Sequence, residues 1–210
     1  MNRTISLLAL LLLVNAGIAQ TVTIANQVWM TKNLNVDKFR NGDPIPQAKT
    51  DAEWEAAEKN KQPAWCYFNN DPANSEKYGK LYNWYAVNDS RGLAPAGYHI
   101  STDEEWKILD KYLGFDSKKI KNTSGWDSYT TGGVSHSGNG TNSSGFSALP
   151  GGSRTTNGTF YGIGIRGYWW TSAEQDSGLA WGRHLRSNLD YVNRWPQDKK
   201  FGFSVRCLKD

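Results

Sequence analysis

The chain of 210 residues is poor in the side chains that most often carry chemistry: two cysteines, two methionines and three histidines. It also lacks an excess of one charge. Its 24 basic residues stand against 20 acidic ones, a formal net charge of +4. The cations are dispersed among acids, with only short pairs such as Lys118-Lys119 and Lys199-Lys200. A nucleic-acid surface needs clustered cations, so no nucleic-acid partner is expected. His99, His136 and His184 are isolated from one another, and none has a ligand at the i+3 or i+4 spacing of a helical metal site, so no metal is expected there. Gly-x-Ser-x-Gly elbows and phosphate loops are missing, and Gly132-Gly133 and Gly151-Gly152 are too generic to stand in for them.

Long apolar runs are scarce as well. The one present, Leu7 to Val14, follows Arg3 and precedes the small residues Ala16-Gly17-Ile18-Ala19. It is too short for a bilayer of roughly 30 Å, and with its basic start and small-residue end it reads as a secretory signal peptide over residues 1–19, cleaved after Ala19. Residues 20–210 then form one domain, secreted or held at the cell surface, with no membrane span. A lipoprotein needs a cysteine directly after the cleavage site, whereas the first cysteine here is Cys66. Loss of Arg3 leaves 23 basic against 20 acidic residues, a nearly neutral mature chain.

In an exported protein the even pair Cys66 and Cys207 reads as a disulfide before a metal site or a nucleophile. Such a bond closes a loop of about 140 residues, worth roughly 4–5 kcal/mol in chain entropy. The alternative is two free, buried thiols.

What the chain has in quantity is aromatic surface and glycine: 10 Trp, 10 Tyr, 7 Phe and 21 Gly. That combination predicts many short strands and turns around large aromatic side chains. Val22, Ile24 and Val28 alternate with polar residues in an opening strand over Thr21–Trp29, and a short strand is expected around Leu34 and Val36. Thr50-Asp51-Ala52-Glu53 is a capping box that opens a helix ending near Asn60. Ala64-Trp65-Cys66-Tyr67-Phe68 reads as a buried strand. A second box in Ser101-Thr102-Asp103-Glu104 precedes Trp106, Leu109 and Leu113, one apolar stripe of a helix that stops at Gly114. From Asn122 to Ser147 the composition is that of surface loop, and strand signals return in Tyr168-Trp169-Trp170, Ala180-Trp181 and Phe201 to Cys207. The fold class is therefore α+β.

Several segments together carry a resemblance. They are Gln27-Val28-Trp29-Met30 with Asn33-Leu34, Tyr78-Gly79-Lys80-Leu81-Tyr82-Asn83-Trp84-Tyr85-Ala86, Leu93 to His99, Asp103-Glu104-Glu105-Trp106, Gly145 to Gly152, Trp169-Trp170-Thr171-Ser172 with Glu174, and Gly202-Phe203-Ser204-Val205-Arg206-Cys207. In this order they resemble the Fibrobacter succinogenes major paralogous domain. The resemblance implies a C-type lectin-like fold, with a small twisted antiparallel sheet, two flanking helices and long irregular loops. It is similar in its Gly-Phe-Ser-Val-Arg ending to formylglycine-generating enzymes and to the variable proteins of diversity-generating retroelements. The enzyme relatives need two closely spaced late cysteines to hold copper. This chain has one late cysteine, so an oxidase is the weakest alternative.

The retroelement relatives imply a contact face just before the terminal segment, here Trp181 to Arg186 and Asp190 to Trp195. Trp, Tyr and Arg dominate interface hot spots. Alternate strand residues face opposite ways, so either Trp181, Arg183 and Leu185 or Gly182, His184 and Arg186 point outward. With Leu185 and Val192 turned to the core, the expected exposed, ligand-binding set is His184, Arg186, Tyr191, Asn193 and Trp195. The competing reading packs these side chains against a loop. Trp29, Trp84, Trp106 and Trp169 are expected in the core, whereas Trp126, in the polar loop, is a candidate exposed ring.

No cofactor is expected. Asn69, Asn70, Asp71, Asn74 and Glu76 offer hard oxygen ligands for calcium, but without the fixed spacing of a known loop turn structure explains them better, and the tripeptides of sugar-binding C-type lectins are missing. The function expected is non-catalytic recognition of a protein or glycan at the bacterial cell surface, or an accessory subunit of a surface assembly.

Overall fold

The computed structural model describes residues 20–210, so the signal peptide expected over residues 1–19 and its expected cleavage site lie outside the described residues. The opening segment is a hairpin and not one strand: β1 (Thr21–Ile24) and β2 (Gln27–Met30) turn at Ala25-Asn26, with Ala25 at a φ of 55°. No strand forms around Leu34 and Val36. Their amides instead donate to the Val205 carbonyl at 2.9 Å and the Tyr82 hydroxyl at 2.8 Å. Helix α1 (Asp51–Lys59) has the expected capping box, with Thr50 accepting from the Glu53 amide, and it ends at Asn60.

The buried strand expected over residues 64–68 is only β3 (Trp65–Cys66). After the extended Tyr67 the chain enters a 3-10 turn over Phe68–Asn70, where Asn69 and Asn70 both take a φ of 55°, a left-handed conformation that asparagine tolerates. A short helix α2 (Ser75–Tyr78), β4 (Leu81–Tyr82), α3 (Trp84–Val87) and β5 (Tyr98–Ile100) follow. Helix α4 (Asp103–Tyr112) is capped one residue later than expected, by the pair Thr102 and Glu105. Its stripe of Trp106, Leu109 and Leu113 is buried, and Gly114 takes the left-handed position that ends it, at a φ of 67°.

The segment Asn122 to Ser147 holds an exposed hairpin, β6 (Tyr129–Thr131) with β7 (Val134–His136), where only loop was expected. The remaining strands are β8 (Gly151–Arg154), β9 (Phe160–Ile163), β10 (Arg166–Glu174), β11 (Leu179–Arg186), β12 (Asn193–Asp198), β13 (Ser204–Val205) and β14 (Cys207–Lys209).

Two sheets organise the fold. One has the order β1-β2-β14-β5 and joins the first described strands to the last. The other has the order β12-β11-β10-β8-β9, with β13 added to β10. It is not purely antiparallel, since β8 and β13 both run parallel to β10. The chain is thus α+β, with more strand than the single small sheet expected.

Strand β10 divides the interior. Because successive side chains face opposite ways, Trp169 enters one cluster with Trp29, Trp106 and Phe146, whereas Tyr168 and Trp170 enter another with Phe203, Tyr82 and Cys207. In the first cluster the Trp106 ring lies 5.3 Å from Trp29 and 5.4 Å from Phe146. Rings of this size dominate core energetics, and truncating one to alanine typically costs about 3–5 kcal/mol. A third cluster under α1 gathers Trp54, Cys66, Phe68 and Leu81.

The expected Cys66–Cys207 disulfide is not formed; both cysteines are free and buried. The reason lies in β4. Cys66 is paired with Leu81 on one face of the β3–β4 ribbon, whereas the next residue, Tyr82, faces the cluster that contains Cys207. The two sulfurs therefore occupy different cores. Burial pushes both thiols up to about 12. Neither is expected to react with iodoacetamide in the native protein at pH 8, and both are expected to be alkylated after unfolding in guanidinium without reductant. Thiols that become reactive only after reduction in that denatured sample would restore the bond.

Candidate functional site

Strands β10, β11 and β12 pair in register, and directly opposed residues of antiparallel strands share a face. Arg166 opposes Arg186, Tyr168 opposes His184, His184 opposes Asn193, and Gly182 opposes Trp195. This places four of the five expected ligand-binding residues, His184, Arg186, Asn193 and Trp195, on one face. Leu185 is buried on the other, and Val192 packs against the Trp29–Trp106 cluster, as expected.

The face is not uniformly open. His184 is 3% exposed, which corrects its expected exposure. Its ring stacks on Tyr168 at 4.4 Å with an interplanar angle of 4°, and Trp195 lies 5.0 Å away on β12. Tyr168 in turn stacks on Phe203 at 4.9 Å. Neither ring nitrogen of His184 has a hydrogen-bond partner. Burial, with the charges of Arg166 and Arg186 adding to it, pulls its pKa down to about 3, so the ring is neutral at physiological pH.

Arg186, Asn193 and Trp195 are half-buried, and only Tyr191 stands well out, at 50% exposure. Tyr191 lies before β12 begins, in the β11–β12 turn, so strand alternation does not govern it. Trp126, the other ring expected outside, is buried, and its indole donates to the Ala148 carbonyl at 3.0 Å.

Three residues of this face, Arg166, Tyr168 and Tyr161, lie outside the expected set. Arg166 donates to the Tyr168 hydroxyl at 3.2 Å, and its guanidinium lies 4.8 Å from the ring of Tyr161 on β9. Tyr161 itself is 51% exposed. The signal was present in the alternation Arg166-Gly167-Tyr168, which sets the arginine on the same side as the buried tyrosine. Among the described residues no carboxylate lies within 4.0 Å of Arg166 or Arg186. The Nε of each is buried without a partner.

The reverse face of the same strands contrasts with this. There Arg183 and Arg194 both meet Asp103 at the start of α4, at 2.7 and 2.9 Å, and Arg194 lies 3.3 Å from the ring of Trp181. Charges on that side are paired and serve the helix–sheet contact.

Other clusters are committed to the fold. A cleft of about 270 Å³ is lined by Lys32, Asn33, Lys77 and Arg206, but Lys32 is paired with Glu76 and Arg206 is bonded to backbone carbonyls. His99 sits between Glu105 at 2.6 Å and Asp210 at 2.8 Å, tying the last residue to α4. Of the oxygens weighed for calcium, Asp71 accepts from the Ala73 amide, Asn74 donates to the Phe68 carbonyl, and Glu76 holds Lys32. Among the described residues no group of three His, Cys, Asp or Glu is arranged to hold a metal, and no helix is long and apolar enough to cross a membrane.

The chain is thus an aromatic-cored α+β protein whose larger sheet has paired charges on one side and two arginines without a carboxylate partner on the other. The sequence profile of the Fibrobacter succinogenes major domain matches residues 22–209, and the chain belongs to that family. No curated protein and no solved structure matches it.

Proposed function

We propose that the chain is an exported, non-catalytic recognition domain of C-type lectin-like build, which takes a protein or glycan ligand at the bacterial cell surface through the face of β10–β12 that carries Arg166 and Arg186. The observation that carries this reading is the unpaired Arg166 and Arg186 set among Tyr161, Tyr168 and Trp195. Arginines and large aromatics on a rigid sheet are the composition of binding hot spots. An oxidase of the formylglycine-generating type needs two adjacent thiolates. The two thiols here sit in different cores, with burial holding each at about 12.

The test is a glycan array, with a pull-down from native envelope fractions beside it, using the wild-type chain and the Tyr191→Ala/Trp195→Ala double variant. The double variant is expected to bind at least about ten-fold more weakly, since each hot-spot ring contributes on the order of 2 kcal/mol. Binding by the double variant equal to wild type would refute the surface.

A further inference from the structure

We propose that Arg166 and Arg186 form a subsite for a carboxylate, and that its natural occupant is an acidic glycan whose sugar ring bears that carboxylate. The inference rests on the recognition surface described above and names the ligand chemistry that the surface takes.

The two guanidiniums come from directly opposed positions of an antiparallel pair, Arg166 on β10 and Arg186 on β11. Like charges so placed destabilise a sheet. Here the cost is compounded, because the Nε of each is buried and makes no hydrogen bond. Other arginines of this protein are satisfied: Arg183 and Arg194 by Asp103, Arg154 by Asp51 and two carbonyls, Arg206 by two carbonyls and Asn33. Only at this place are two cations opposed without a counter-charge among the described residues. Folding does not account for the arrangement, whereas an oxyanion held by the guanidinium Nη groups, which are not among the buried unpartnered atoms, removes the repulsion. Local conflict of this kind is expected at functional sites.

The chemistry around the pair narrows the occupant. Guanidinium forks match the planar geometry of a carboxylate and bind it through two parallel bonds. The Tyr168 hydroxyl accepts from Arg166 and, among the described residues, donates to nothing, so its proton is free for a second carboxylate oxygen or a ring hydroxyl. Tyr161, 51% exposed, rims the subsite beside Arg166, and the half-buried Trp195 and exposed Tyr191 continue the aromatic surface toward β12. Ring faces of this kind pack on the C–H faces of sugars. A carboxylate fixed on a sugar ring also loses less freedom on binding than one at the end of a flexible acidic side chain.

The experiment is calorimetric titration of the exported chain with four probes: an oligogalacturonate, a neutral galactose oligomer of equal length, a sulfated galactose oligomer and oligo-glutamate. The wild type is expected to bind the uronate at least about ten-fold more tightly than the other three, with binding weakened by added salt. Arg166→Gln and Arg186→Gln are each expected to lose at least about ten-fold in uronate affinity, the effect of one charge-assisted bond. Thermal melting separates this from a structural role: both variants are expected to melt at or above the wild-type temperature, because the repulsion is relieved.

Unchanged uronate affinity in both arginine variants, no uronate binding, or a fall in melting temperature for both overturns the subsite. Preference for the sulfated oligomer overturns the carboxylate, and preference for oligo-glutamate moves the ligand to an acidic protein and overturns the glycan. Binding on the array that needs Tyr191 and Trp195 but neither arginine leaves the recognition surface standing while the anion subsite falls.

Discussion

Arg206→Met is expected to cost the protein about 4 kcal/mol, the largest single-residue effect outside the aromatic core. Arg206 is 1% exposed and sits in the terminal Gly-Phe-Ser-Val-Arg-Cys segment. Its guanidinium donates to the Met30 carbonyl at 2.8 Å, the Phe146 carbonyl at 2.7 Å and Asn33 Oδ1 at 2.9 Å, and it lies 4.4 Å from the Phe146 ring. One side chain thereby joins the end of β2, the loop after β7 and the last strands. Burial pulls its pKa down to about 9, so it stays charged at neutral pH. Methionine fills much of the volume but leaves three buried acceptors with fewer donors, at about 1–3 kcal/mol each before relaxation. Asn33 keeps a bond from the Trp169 indole at 2.9 Å, which limits its share. Urea unfolding measures the effect. With a slope of about 2 kcal/mol per M the midpoint should fall by about 2 M, and a fall under about 0.5 M would show that the three carbonyl-lined contacts contribute little. Arg206→Lys should lie between the two, because a single ammonium cannot span the fork.

Local signals in the sequence resolve wherever a local rule is strong. Both capping boxes form, at Thr50 with Glu53 and at Thr102 with Glu105, and the Trp106, Leu109 and Leu113 stripe is buried against the sheet. The two-residue strands β3, β4 and β13 are too short for any period to register. They exist through distant partners, as when Tyr82 exchanges backbone bonds with Phe203. The same non-locality hid the separation of Cys66 from Cys207, because it depends on which way Leu81 and Tyr82 face after β4 has paired with β3.

The candidate face was half visible. Alternation along β11, anchored by an inward Leu185, put His184 and Arg186 on one side and proved correct about the side. It proved wrong about exposure of His184, because β11 is an interior strand whose neighbours cover it. Tyr168 from β10 and Trp195 from β12 close over the imidazole. No property of residues 181–195 alone specifies β10 as a neighbour, and so Arg166, the partner that gives the face its charge, stayed outside the expected set. Trp126 was hidden for a related reason: its loop is polar, but the indole finds the Ala148 carbonyl inside. Polarity of a segment describes its average, and a single large ring within it answers to whichever cavity is near.

The charges on the reverse side of the same sheet lead to the second large effect: at pH 7, Asp103→Asn is expected to destabilise the protein by about 3 kcal/mol. Asp103 opens α4 and receives Arg183 at 2.7 Å, Arg194 at 2.9 Å and Lys107 at 3.1 Å. Arg183 is buried, and its guanidinium also donates to the Asp103 carbonyl. Removing one partner of such a buried pair leaves an uncompensated cation, which costs about 3–5 kcal/mol. Arg194 is more open to water and rests on Trp181, so the lower end applies. Burial alone raises the Asp103 carboxyl, but the Arg194 hydrogen bond and the Arg183 charge outweigh it and hold the group down at about 2, below the ordinary 3.8. A carboxyl depressed on folding contributes stability that is present in full above its unfolded value and is lost as pH falls through the folded one. The contribution is thus expected to hold above pH 4 and to fade between about pH 4 and pH 2, amounting to ~2 kcal/mol at 1.36 kcal/mol per pH unit. Urea midpoints of wild type and Asp103→Asn measured across that interval should converge as pH falls. Parallel curves would mean that Asp103 is not the group whose protonation loosens the contact between α4 and β11.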